Sequence, residues 1–155
     1  MAPSVGERAG GRAAFRALVA DDSEFARRNV GKVIALLGGE VVGEAATGRQ
    51  AVDRYRALRP DLVLMDITMP EMPGVEAVEA IMREDPEARI VMVTSVGHHE
   101  VVRRALSLGA RYFLMKPLQF DEAAALRFVL EAPAAGANPQ SAFGNPQSEG
   151  AHHAA

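Results

Sequence analysis

Short apolar runs alternate with longer amphipathic stretches along most of the chain. Residues 15–20, 40–45, 62–65, 90–93 and 112–115 are almost wholly apolar and rich in Val, Leu and Ile. Runs this short do not make helices, and they suit strands covered on both faces, as in a parallel sheet. The intervals between them show helical spacing. Val30, Val33, Ile34 and Leu37 form one stripe closed by Gly38-Gly39. Thr47 and Gln50 form a capping box ahead of Ala51, Val52, Tyr55 and Leu58, and Arg59-Pro60 ends that helix. Val75, Val78 and Ile81 follow Pro73-Gly74 and stop at Asp85-Pro86. Val101, Ala105 and Leu108 lead to Gly109, and Ala123, Leu126 and Leu130 line the last helix. Five strand–helix repeats, each long enough for a right-handed crossover, predict an α/β doubly wound domain.

Composition narrows the function classes. The 155 residues suit one domain, and 48% hydrophobic with 24% charged residues is enough to bury one core. A net charge of −3 lacks the concentrated basic surface that nucleic-acid binding needs. The absence of cysteine excludes disulfides, thiolate zinc sites and cysteine nucleophiles. No apolar run reaches the length of a membrane span, so membrane insertion is not expected. The N-terminus has Arg8 and Arg12 but no apolar stretch after them, so a cytoplasmic location is expected. Residues 1–14 read as a flexible tail, 15–131 as the folded domain, and 132–155 as a low-complexity, disordered tail. That last segment has no Leu, Ile, Val or Met, has Phe143 as its aromatic, and repeats Asn138-Pro139-Gln140-Ser141 as Asn145-Pro146-Gln147-Ser148. His152 and His153 lack supporting ligands and read as solvated residues rather than a metal site.

Polar residues follow each strand where chemistry is expected. The first run ends in Asp21-Asp22, the third in Asp66, the fourth in Thr94-Ser95 and the fifth in Lys116-Pro117. In an open α/β sheet these positions share the carboxyl edge, where ligands bind. Each has an ordinary alternative: Asp21 or Asp22 as a helix cap, Thr94 satisfied by backbone, Lys116-Pro117 as a solvent turn. Asp66 is harder to explain that way, because a lone carboxylate behind a buried strand is costly unless it is paired or metal-bound. Together the four sites favour chemistry. Three carboxylates suit Mg²⁺, a carboxylate can serve as a nucleophile toward phosphorus, and Lys116 with Thr94 could hold the phosphoryl oxygens.

These residues resemble those of the receiver domain of two-component response regulators. The resemblance rests on Asp21-Asp22, on Asp66-Ile67-Thr68-Met69-Pro70-Glu71-Met72-Pro73-Gly74, on Thr94-Ser95 and on Lys116-Pro117. It implies a flavodoxin-like, five-stranded parallel sheet in the order 2-1-3-4-5 with five helices. It implies Asp66 as the phosphoacceptor, charged by a histidine kinase. Mg²⁺ would sit on Asp21, Asp22, Asp66 and the Thr68 backbone carbonyl. Thr94 and Lys116 would contact the phosphoryl group, with backbone contacts from Thr68 and Ser95. The Lys116–Pro117 bond would be cis. Phe113, with Thr94, would take the place of the aromatic switch, and Tyr112 would face the opposite side of the sheet. Such a domain is not an enzyme in the ordinary sense, although it assists its own phosphorylation and dephosphorylation. The stretch Thr94-Ser95-Val96-Gly97 and the Asp66 loop look like stand-alone chemotaxis regulators. This implies a protein target on the fourth helix–fifth strand–fifth helix face, in that group a flagellar motor switch protein. His98-His99 replaces the polar amides more common there. Other readings are a phosphorelay carrier, a regulator without its DNA-binding output domain, and an aspartyl-phosphate hydrolase. Thr68, two residues after Asp66, argues against the hydrolase, whose nucleophile is followed at that spacing by a second Asp.

Overall fold

The computed structural model describes residues 13–95, 97–119 and 122–132. Five strands and five helices alternate. They are β1 (Arg16–Ala20), α1 (Glu24–Leu36), β2 (Glu40–Ala45), α2 (Gly48–Leu58), β3 (Leu62–Asp66), α3 (Gly74–Glu84), β4 (Ile90–Thr94), α4 (His99–Leu108), β5 (Tyr112–Met115) and α5 (Ala123–Glu131). All four pairings are parallel, and the sheet order is β2-β1-β3-β4-β5, as the resemblance implied.

Strand alternation builds two cores, one on each face of the sheet. Ala17, Val19, Leu62, Leu64, Val91 and Val93 face Val30, Val33 and Ile34 of α1 and Leu126 and Val129 of α5. Leu18, Val63, Met65, Ile90 and Met92 face Val52 and Tyr55 of α2, Val78 and Ile81 of α3, and Val102 and Ala105 of α4. Coverage on both faces holds fully for β3 and β4, which are buried at every residue. The edge strands are more open: Glu40 and Glu44 of β2 are exposed, as is Met115 of β5. On α4 the buried position is Val102, with Val101 only partly buried. On α5 Val129 is buried where Leu130 is only partly covered. Spacings of three and four both fit a helical stripe, and the facing strand chooses between them.

Local chemistry sets the boundaries. The Ser23 hydroxyl caps α1 by accepting the Ala26 N–H at 3.2 Å, so neither Asp21 nor Asp22 is the cap. The end of α1 is a Schellman motif: the Gly38 N–H donates to the Ala35 carbonyl and the Gly39 N–H to the Ile34 carbonyl, with Gly38 at φ +84°. Thr47 caps α2 through the Gln50 N–H at 3.0 Å. The Gln50 side chain reaches the Ala46 N–H at 2.9 Å, one residue earlier than a standard capping box. The packed region extends one residue past each expected end. Ala14 is buried and donates its N–H to the Gly38 carbonyl, and the Ala132 carbonyl accepts from Arg89 at 3.3 Å. Alanine carries too little signal to mark either edge. Residues 1–12 and 133–155, which include the Asn-Pro-Gln-Ser repeat, Phe143, His152 and His153, lie outside the described residues.

Candidate functional site

Parallel strands deliver their following residues to one edge, and the expected groups meet there. Asp21 follows β1 and is 2% exposed. Its N–H donates to the Ala45 carbonyl at 2.9 Å, which continues the pairing of β1 with β2 beyond the strand. Its Oδ1 accepts the Ser23 N–H at 2.9 Å. Asp66 ends β3 beside Val93 of β4 and is also buried, whereas Asp22 is exposed. One carboxylate oxygen from each of Asp21, Asp22 and Asp66 lies within 4.8 Å of the others. Three hard oxygen donors at that separation fit a small divalent cation.

Lys116, just past β5, is the ammonium of the site. Its Nζ lies 2.6 Å from Asp21 Oδ2 and 3.2 Å from Asp66 Oδ1. The Lys116–Pro117 bond is cis. Three carboxylates around one ammonium leave a net negative pocket, and the titration behaviour follows. Burial raises the Asp66 carboxyl above its ordinary range, the Asp21 charge adds to the rise, and Lys116 and the Ile67 N–H oppose it. Burial pulls the Lys116 ammonium down, but its hydrogen bond to Asp21 and the charge of Asp66 outweigh that and raise it overall.

The loop after β3 closes tightly over the site. The Gly74 N–H donates to the Ile67 carbonyl at 2.8 Å, and any Cβ at Gly74 would collide with the Asp66 carbonyl. Only glycine fits there. Ile67 and Met69 are buried and anchor the loop, while Thr68 is exposed and Glu71 takes a left-handed φ of +67°.

Thr94, the last residue of β4, is buried, and its hydroxyl donates to the Ser95 carbonyl at 2.9 Å. The hydroxyl is therefore engaged by backbone rather than by Asp66, the alternative noted for this residue from the sequence. Ser95 is exposed. Phe113 packs on the α2–α4 side of the sheet and Tyr112 on the α1–α5 side, as strand alternation requires. Thr94, Ser95, Val102, Leu106, Phe113 and Met115 line a cavity of about 350 Å³ between α4 and β5. Thr94 and Phe113 thus share one space.

Residues 17–126 match the family model of the response regulator receiver domain. The chain belongs to that family. The CheY chemotaxis protein of Thermotoga maritima is 45% identical over 104 residues, covering 67% of this chain and 87% of that protein. A protein-glutamate methylesterase/protein-glutamine glutaminase of Alkalilimnicola ehrlichii is 49% identical over 105 residues, which make up only 26% of that enzyme. A chain of the CheX–CheY–BeF3–Mg²⁺ complex of Borrelia burgdorferi is 30% identical with a TM-score of 0.69, covering 86% of this chain and 92% of that one.

This receiver domain also contains contacts beside the site that its motifs do not announce. Arg27 of α1 donates Nη1 to the Asp21 carbonyl and Nε to Glu44 Oε1, both at 2.7 Å. No motif spacing points to this arginine; a basic residue on the α1 face toward β2, opposite a β2 glutamate, was the one available signal. On α4, His99, Glu100, Arg103 and Arg104 are exposed. Among the described residues no helix is long and apolar enough to cross a membrane.

Proposed function

We propose that this receiver is a phosphorylation-dependent signalling switch of a two-component system, and that it acts from the cytoplasm. Asp66 accepts a phosphoryl group from the phosphohistidine of a histidine kinase. The supporting observation is the buried Asp66 carboxylate at the end of β3, clustered with Asp21 and Asp22 and touched by Lys116.

The chemistry follows from the residues. A carboxylate oxygen of Asp66 attacks phosphorus as the bond to the donor nitrogen breaks, giving an acyl phosphate. Burial works against ionising this nucleophile, and Lys116 offsets part of the effect by favouring the carboxylate. Mg²⁺, held by Asp21, Asp22, Asp66 and the Thr68 carbonyl, would neutralise charge developing on the phosphoryl oxygens. Lys116, which touches both Asp21 and Asp66, would act as a point charge for the same oxygens. Backbone groups of Thr68 and Ser95 complete the cradle.

Signalling requires a two-state element that the new dianion biases. Thr94 would exchange its bond to the Ser95 carbonyl for one to a phosphoryl oxygen. Phe113 would then turn into the cavity that it shares with Thr94. Lacking a phenol hydroxyl, it would report its state through packing alone. A 100-fold shift between states needs about 2.7 kcal/mol. A charge-assisted hydrogen bond of about 1.5–3 kcal/mol is of the right size. The surface that changes is α4, β5 and α5. The likeness to chemotaxis proteins supports a protein target, and the resemblance to stand-alone chemotaxis regulators makes a flagellar motor switch protein the one expected on that face.

The test is labelling with acetyl phosphate followed by mass measurement. Wild-type protein should gain one phosphoryl group that a chelator blocks, and Asp66→Asn should gain none. Labelling of another aspartate in Asp66→Asn would overturn the assignment.

A further inference from the structure

We propose that Arg27, braced by Glu44, is a positioning residue for the acidic loop. By holding the Asp21 peptide it sets the geometry in which Asp21 and Asp22 receive Mg²⁺. This rests on reading Asp21, Asp22 and Asp66 as the metal-binding, phosphoacceptor site.

Every polar group of Asp21 is held by a different element. Its N–H bonds the Ala45 carbonyl beyond β2, its Oδ1 accepts the Ser23 N–H before α1, and its Oδ2 meets Lys116 beyond β5. Its carbonyl accepts Arg27 Nη1. Arg27 itself closes the first turn of α1, its backbone N–H bonding the Ser23 carbonyl at 3.0 Å, and its side chain reaches back over that turn. The guanidinium is largely covered, with 17% of the side chain exposed, whereas Glu44 is 56% exposed. An ion pair as open as that adds little stability by itself. What distinguishes the arrangement is its second bond. The planar guanidinium presents its N–H groups at fixed angles, so anchoring Nε on Glu44 also fixes the direction in which Nη1 points.

The held carbonyl belongs to the peptide that joins Asp21 to Asp22. That unit is planar, so fixing the oxygen also fixes the amide from which Asp22 departs. Asp22 is exposed, so its carboxylate is placed by the backbone rather than by packing. Mg²⁺ requires near-octahedral ligands at about 2.0–2.1 Å, whereas Ca²⁺ accepts longer and more variable ones. A loosened Asp21–Asp22 peptide should therefore penalise Mg²⁺ more than Ca²⁺. A purely electrostatic role has the opposite sign, because deleting a cation beside carboxylates should tighten both metals.

Calorimetric titration of the full chain with Mg²⁺ and with Ca²⁺ tests this, alongside thermal melts of each variant. Arg27→Met keeps the apolar stem and removes both bonds. It should weaken Mg²⁺ about 10-fold or more, the usual scale for losing a group that orients a metal ligand, with a smaller loss for Ca²⁺. Arg27→Lys, which can reach one acceptor at a time, should fall between it and wild type. Glu44→Gln retains an oxygen acceptor and should stay nearest wild type. Unchanged or tighter Mg²⁺ binding by Arg27→Met overturns the proposal. So does an equal loss of both metals together with a collapsed melting transition, which would mark a structural role. If Arg27→Met does not fold, the same comparison of the two metals is read on Arg27→Lys. Failure of the wild type to bind Mg²⁺ would overturn the metal-site reading itself, and it would be seen before any variant is made.

Discussion

The two ends of the sheet use the same residue types to opposite effect. At the amino edge, Asp61 and Asp85 each have donors for partners. Asp61 accepts the Arg16 N–H at 2.8 Å, and Arg16 Nη1 donates to the Leu58 carbonyl at 2.9 Å. Asp85 accepts the Tyr55 hydroxyl at 2.6 Å, Arg59 at 3.2 Å and the Glu87 N–H at 3.1 Å. At the carboxyl edge three carboxylates cluster, and one ammonium touches two of them. The hydrogen bond from Tyr55 holds Asp85 below the ordinary carboxylate range despite some burial, while burial and the Asp21 charge hold Asp66 above it. One aspartate is stabilised as an anion by its surroundings. The other is kept short of partners, and that deficit suits the cation and the phosphoryl group proposed for it.

The contrast can be broken most sharply by chemistry. Asp66→Asn should abolish acetyl phosphate labelling, whereas Asp85→Asn should leave the labelled fraction unchanged when intact mass is measured.

Metal should act at the carboxyl edge alone. Mg²⁺ at about 100 times its dissociation constant adds roughly 2.7 kcal/mol, a rise in melting temperature on the order of 10 °C for a domain of this size. Asp21→Asn or Asp22→Asn should remove most of that rise, and Asp85→Asn should retain it. A full rise in Asp22→Asn would sink its role as a ligand.

Stability against pH should move in opposite directions at the two ends. The folded-state pKa of Asp66 lies above its unfolded value, so ionising it costs the fold. Without Mg²⁺, Asp66→Asn should therefore melt higher than wild type at pH 7, with the gap shrinking as pH falls from the raised folded-state pKa to the ordinary aspartate value. The folded-state pKa of Asp85 is depressed, so its stabilisation is present above the unfolded pKa and is lost as pH falls through the folded one. Asp85→Asn should melt lower at pH 7, by about 1 kcal/mol or roughly 4 °C, with the difference closing in acid. Thermal melts from pH 3 to 7 decide both.

The smallest effect belongs to the cap of α2, which follows β2 at the carboxyl edge but whose hydroxyl bonds its own helix. Thr47→Ala removes the acceptor for the Gln50 N–H and should cost about 1 kcal/mol at any pH, with labelling and the Mg²⁺ effect intact. A change in labelling would mean that α2 is coupled to the site.

The elements were legible because their signals are local. The run 62–65 suited a buried strand, and the observed β3 differs by adding Asp66. Gly38-Gly39 announced the end of α1, and the Schellman bonds are there. Strand polarity alone placed Asp21, Asp22, Asp66, Thr94 and Lys116 on one edge, because residues that follow parallel strands must emerge together. Which face of a helix is buried was legible only to within a residue, as Val102 in place of Val101 shows.

By itself, then, the sequence determined the order of elements, the acidic edge and the identity of its groups, since periodicity, caps and strand direction act over a few residues at a time. Tertiary structure alone decided who touches whom. Lys116 lies closer to Asp21 than to Asp66, Thr94 turns its hydroxyl to the Ser95 carbonyl, and Arg27 reaches from α1 to both β1 and β2. Such partnerships depend on the angles and separations between elements distant along the chain, and those are set when both faces of the sheet pack together.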